Sequence, residues 1–270
     1  MEKQPTVFAV GRVFVATATM ASGVLHLVTG DFVRLVPKLP AWLPAAGAWP
    51  YVVGAGLVAL GVALLTGRLA RAAAGILAVM ILLVVVLLYG PTLVWSPEID
   101  RPYLHGFMWT NPLKSLALVG GAGILAARLP GPPPPLSALV SNLARRESLG
   151  PPLLALFLVV CGLQHFAYRD FVKSLVPAWI PAPLFWTYFT GVALMAGGVG
   201  ILVPRTSRLA ARLSALMILL WVVLLHIPRA LAGPNHANET AGVFEALALT
   251  GVALLVAGTR GVEARGDPRT

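Results

Sequence analysis

Two histidines and the residues around them are the strongest candidates for chemistry in this sequence. His26 stands five residues before Asp31, ahead of a run ending Pro-Ala-Trp-Leu-Pro. His165 stands five residues before Asp170, ahead of a run ending Pro-Ala-Trp-Ile-Pro. Gln164, His226, Arg229 and Glu245 accompany the second histidine. All lie in or beside strongly apolar stretches, where an ionisable side chain is expensive to bury and marks a candidate site. Imidazole, amide and guanidinium N–H groups donate to a carbonyl, and carboxylates can relay protons. Together they could hold the head of a quinone or another lipid-like molecule in a pocket open to the bilayer. In a blander account His165 caps its helix end, Arg229 pairs with Glu245 or Asp170, and no ligand is held.

Other chemistries find less support. His165 and His226 could be axial ligands, and His105 and His236 fall in loops that also hold Glu98, Asp100 and Glu239. No spacing among them matches a metal motif, so no metal is expected. Ser22, Ser115 and Ser174 lack a Gly-x-Ser-x-Gly context, and no catalytic residue is assigned. Cys161 is the single cysteine, which excludes an intrachain disulfide or a Cys-x-x-Cys redox pair. A transporter would suit many spans. Yet the mid-helix stretches carry Gly54, Gly120, Gly121, Gly191, Gly197 and Gly198 rather than charge, which suits close helix packing.

The elements that must position these residues are membrane helices. Of 270 residues, 58% are hydrophobic and 11% charged, the composition of an all-α polytopic membrane protein. Eight segments approach the ~20 residues a hydrocarbon core requires: 7–29, 45–66, 70–90, 112–128, 153–168, 183–203, 209–227 and 241–258. The first could be a cleaved signal peptide, since ATATMASG offers small residues. Arg12 interrupts the apolar stretch, however, and the segment matches an internal one that cannot be cleaved. With eight spans, one face collects 13 of the 20 basic residues and four of the ten acids. Both termini are therefore expected in the cytoplasm of a cell with the protein in its inner membrane. The net charge of +10 forms no single basic domain. Membrane lipid, not nucleic acid, is the expected partner.

The chain also repeats. An offset of 137 aligns Pro40 with Pro177, Trp42 with Trp179, Trp49 with Trp186, Tyr51 with Tyr188, Arg68 with Arg205 and Pro91 with Pro228. Upstream, two extra residues in the first copy bring His26 onto His165 and Asp31 onto Asp170. Downstream, a loop six residues longer in that copy brings Leu116 onto Leu247. The expected organisation is a four-helix repeat at 1–128, a proline-rich cytoplasmic linker at 129–150, a second repeat at 151–260 and a tail at 261–270. Because four is even, the copies insert in parallel. His26, Asp31, Trp42, Asp170 and Trp179 form the motif closing each bundle's outer end, with tryptophans in the headgroup belt and aspartates accepting backbone N–H groups at the turn. At the polar positions the copies diverge: Leu25, Tyr89, Thr92 and Lys114 replace Gln164, His226, Arg229 and Glu245. The expectation is one ligand pocket in the second copy, formed by Gln164, His165, His226, Arg229 and Glu245, with a degenerate counterpart around His26 and Tyr89.

A histidine ending the first helix, Asp-Phe-Val, Pro-Ala-Trp-[Leu/Ile]-Pro, a Trp/Tyr pair, a glycine-rich second helix and Leu-His-Ile-Pro-Arg from Leu225 to Arg229 together resemble the DoxX-like membrane proteins. Typical members are single four-helix units, so this chain resembles a fused pair. The family is linked to quinone-dependent thiosulfate oxidation. The resemblance fixes architecture better than activity; the expected role is an accessory component that binds a quinone or lipid-like molecule near the outer leaflet, beside a redox partner. An assembly or scaffolding factor for membrane proteins, or a small-molecule transporter, is the alternative. The charge partition predicts that reporter fusions after Asp100 and after Arg145 report opposite sides, the latter cytoplasmic. Cytoplasmic activity at Asp100, or periplasmic activity at Arg145, contradicts the topology.

Overall fold

The computed structural model describes residues 5–33, 44–96, 99–101, 104–131, 147–232 and 235–263. Trp42, the body of the linker and the end of the tail lie outside them. The described residues are mostly helical, with one isolated bridge between Ser96 and Ile99. Eight long helices follow in order: α1 Thr6–Thr29, α2 Trp49–Thr66, α3 Ala70–Val94, α4 Thr110–Arg128, α5 Gly150–Ala167, α6 Pro183–Leu202, α7 Ser207–Ala232 and α8 His236–Glu263. A short helix, Arg169–Leu175, follows α5. Local chemistry explains several boundaries. Prolines sit in the first turns of α2, α5 and α6, where a missing N–H costs nothing. Gly30 ends α1 in the left-handed region (φ 66°), its N–H bonded to His26 O.

Seven of these helices, not the expected eight, are long and apolar enough by themselves to cross a membrane. The exception is α4. Its 19 residues suffice in length, but its first two turns hold Thr110, Asn111, Lys114 and Ser115. Its neighbours supply the reason it can be polar: α4 packs against α3, α5 and α8, and every residue from Gly120 to Ala126 is buried. A helix shielded by other helices does not need a lipid-facing apolar surface. The protein is thus an all-α, multi-pass membrane protein with one enclosed, less apolar helix.

The two halves repeat one set of helix contacts. Helix α1 packs on α2 as α5 packs on α6, and α3 on α4 as α7 on α8. They are not two self-contained bundles, however: α8 lies along α1 of the first half, and α4 along α5 of the second. The fourth helices also touch each other at the centre. Of the seven apolar helices α8 is the most enclosed, with 67% of its membrane window buried. Glycines permit these cross-half approaches. A Cβ on Gly11 would meet Gly251 O at 2.8 Å, and one on Gly120 would meet Gly150 Cα at 2.9 Å. Both are backbone contacts that cannot yield, so only glycine fits.

One feature recurs at equivalent places, and one contact joins two equivalent positions. In α3 and α7 the helix widens into one π turn, Val85–Tyr89 and Val222–His226, just before Pro91 and Pro228. Gly90 N–H reaches Val85 O, and Ile227 N–H reaches Val222 O, five residues back. Such bulges re-aim the side chains that follow, and here they end on Tyr89 and His226, one of the diverged pairs. Where α4 meets α8, Lys114 Nζ donates to Glu245 Oε2 at 2.8 Å. Lys114 and Glu245 occupy the same position of the repeat.

Both side chains of this pair are largely buried, so each depends on the other for its charge. Replacing either Lys114 by Met or Glu245 by Gln should destabilise the protein by about 3–5 kcal/mol, whereas the exchange Lys114→Glu with Glu245→Lys should recover most of that. Thermal unfolding in mild detergent measures both; an exchanged protein no more stable than the single variants contradicts the pairing.

Candidate functional site

Of the five residues expected to share a pocket in the second copy, Gln164, His165, Arg229 and Glu245 each make contacts of their own. Gln164 accepts from Thr110 Oγ1 at 2.9 Å through its Oε1, and its Nε2 donates to Gly106 O at 2.6 Å. Its amide thus ties the segment before α4 to the end of α5. His165 Nδ1 lies 2.7 Å from Cys161 O, one turn back. Since a carbonyl only accepts, Nδ1 carries the proton. The ring stacks on Trp221, with centroids 6.1 Å apart. Arg229 makes a two-pronged pair, Nε to Glu239 Oε2 at 3.1 Å and Nη2 to Glu239 Oε1 at 2.8 Å. Its partner is therefore neither Glu245 nor Asp170. His226 ends the π turn of α7. Glu245 pairs with Lys114 and faces the other half.

That other half contains a cavity of about 390 Å³. Its walls come from α1, α2 and α3, with Ser115 and Leu118 of α4 and Ala241, Phe244, Glu245 and Ala248 of α8. Most of the lining is apolar. The polar groups are Thr19, Ser22 and His26, descending along α1, with Tyr89, Ser115 and Glu245. Thr19 is satisfied by Val15 O at 2.8 Å. His26 differs: its Nδ1 is buried and has no hydrogen-bond partner among the described residues. Its ring stands edge-on to Phe32, with centroids 5.3 Å apart. The same histidine of the repeat is locked onto its own helix in one half and left with an unpaired nitrogen in the other.

Two differences distinguish the surroundings of the two histidines, one substitution and one loop. At the position of Trp221, which covers His165, the first half has Val84, a small side chain lining the cavity. The second device is the longer first-copy loop. Its last turn, Gly106–Trp109, lies over the second half. Phe107 packs edge-on against both Tyr168 and Phe171, and its N–H donates to Tyr168 OH at 3.0 Å. The counterpart stretch, 237–240, is already part of α8. Sequence reasoning missed Val84, Ser22 and Ser115 as lining residues. The Val84/Trp221 exchange was nonetheless readable at the 137-residue offset.

The remaining motif residues lie at the edges. Asp31 Oδ1 accepts the Phe32 N–H at 2.7 Å, and Thr29 Oγ1 donates to Leu25 O at 2.8 Å beside it. Asp170 is exposed, 3.8 Å from Arg169. Trp179 is exposed, and Trp49 Nε1 donates to Pro44 O at 3.1 Å. His105 and His236 each bond a nearby backbone carbonyl, Asp100 O and Ala230 O. Among the described residues no three His, Cys, Asp or Glu side chains gather to hold a metal.

No curated protein and no solved structure matches the chain. Residues 154–256 match a family model described as a domain of unknown function (DUF8561), a stretch that begins in α5 and ends in α8.

Proposed function

We propose that this chain is an accessory component of the inner membrane that binds one amphipathic molecule, a quinone or a lipid of similar girth, in the cavity of its first half. We place this pocket beside His26, in the half that the sequence pattern marks as degenerate. The observation that carries the reading is the combination of an apolar space of about 390 Å³ with a buried, unpaired His26 Nδ1. That volume lies within the roughly 300–1,000 Å³ of small-molecule sites, which are mostly apolar with a few placed polar groups. An unpaired buried nitrogen costs about 1–3 kcal/mol, which a ligand hydrogen bond would recover. In this reading both termini are cytoplasmic, α4 crosses within the bundle, and the His26 end faces outward, toward a redox partner. The DoxX-like motifs are consistent with that role.

Filling the cavity is the direct test. Val84→Trp gives the first half the side chain that occupies the second. The indole competes with the ligand for the same space, so the molecule extracted from gently purified protein should fall roughly tenfold or more. Arg229→Ala, in the other half, should leave it unchanged. Equal recovery from Val84→Trp and the unmodified protein, by mass spectrometry of organic extracts, contradicts the assignment.

A further inference from the structure

We propose that the chain holds one anionic phospholipid at the end of the bundle away from His26, its phosphate on Arg12 and Arg68 where α1 meets the turn between α2 and α3. This site lies apart from the cavity and does not depend on how the cavity is read. On α1 a stripe of residues at helical spacing runs along α2: Gly23 meets Gly54, and Ala16 and Met20 meet Gly61. Arg12 is the next member of that stripe, one turn before Ala16. Helix α2 ends at Thr66, so the arginine reaches the turn beyond it, with Nη1 3.8 Å from where a Cβ of Gly67 would stand. It stands six residues along from Thr6, about 9 Å down the axis of α1. That is the level at which α2 gives way to α3, where helices of membrane length meet the lipid head groups.

The charge placed there calls for an anion. Arg12 is half-buried, and its Nε is buried with no hydrogen-bond partner. The carboxylates whose side chains are described, Asp31, Asp100, Asp170, Glu239 and Glu245, all stand toward the opposite end of the helices. The charge near Arg12 is positive: Arg68 is exposed on the turn next to Gly67, and Arg71, in the first turn of α3, donates to Gly131 O at 3.2 Å. A guanidinium cannot shed its proton. A lipid phosphate is the anion a membrane supplies at this level, and the forked Nη donors match its oxygens. Basic recesses between membrane helices bind anionic head groups for this reason. The repeat supplies a natural control. In the second half Ala155 and Gly162 keep the same seam against Gly198 and Gly191, and Arg205 stands exposed at the place of Arg68, but Pro151 takes the position of Arg12.

The test uses full-length protein in mild detergent, titrated with palmitoyl-oleoyl phosphatidylglycerol, palmitoyl-oleoyl phosphatidylcholine or inorganic phosphate and followed by native mass spectrometry. One phosphatidylglycerol should bind about tenfold more tightly than phosphatidylcholine, whose net charge is zero, the difference expected of a hydrogen bond between charged groups. Inorganic phosphate at millimolar concentration should not displace it. Arg12→Gln should reduce the preference to about twofold or less and Arg68→Gln to about threefold, whereas Arg205→Gln should leave it unchanged. Equal binding of the two lipids overturns the site, as does equal loss from Arg68→Gln and Arg205→Gln, which would mean a diffuse basic surface. Displacement by inorganic phosphate overturns the lipid as its occupant. A lower unfolding temperature in Arg12→Gln with the preference intact would mean that the guanidinium serves an acid of the chain itself, Glu2, Glu147, Glu263 or Asp267, and the proposal fails. The contrast between Arg68→Gln and Arg205→Gln, both on exposed turns, decides the matter even if Arg12→Gln does not fold.

Discussion

The Lys114–Glu245 contact at the crossing of α4 and α8 is the interaction around which the molecule is organised. It joins two equivalent positions of an internal repeat, 2.8 Å apart. In a symmetric pair of identical units the two residues meeting there would carry the same charge, and like charges within a membrane interior repel strongly. Only a chain whose halves can differ is able to place lysine opposite glutamate. The two central helices that carry the pair are also those that cross to the opposite half, where Gly251 meets Gly11 and Gly120 meets Gly150. One contact thus fixes both fourth helices, and with them the far wall of each half.

Asymmetry at the centre propagates to the ends of the bundle. Glu245 is presented to the first half, which has a small Val84, an unpaired His26 nitrogen and a cavity. The second half has Trp221 against His165 and the turn Gly106–Trp109 tied down by Gln164. Shared architecture with different side chains lets one fold keep its scaffold twice while the surroundings of the repeated histidine differ. The repeated histidine has different work in its two positions because its neighbours, not its own helix, decide what its ring nitrogens meet.

Much of this scaffold was legible in the sequence. Apolar runs of membrane length and the 137-residue offset identified the helices and their equivalence, and glycines at the crossings announced close packing. The fourth segment was the weak point because hydropathy measures a helix alone, whereas α4 borrows its apolar surroundings from α3, α5 and α8. The site was less legible. Polar residues are denser in the second copy, yet Gln164 and Arg229 are consumed by Gly106 and Glu239. Counting polar groups cannot distinguish a satisfied one from a waiting one. The informative sign was apolar, Val84 facing the position of Trp221, and its meaning depended on knowing that this position points at the histidine. Likewise the Lys114/Glu245 exchange was visible, but not that the two would touch.

The central claim is that the two halves, alike in fold, differ in occupancy. An experimental density map of the protein in native-lipid nanodiscs tests it most directly. The account predicts elongated density beside His26, between α1, α2 and α3 and reaching Glu245, with none between His165 and Trp221. A first-half cavity closed by its own side chains, or equivalent density in both halves, would contradict it.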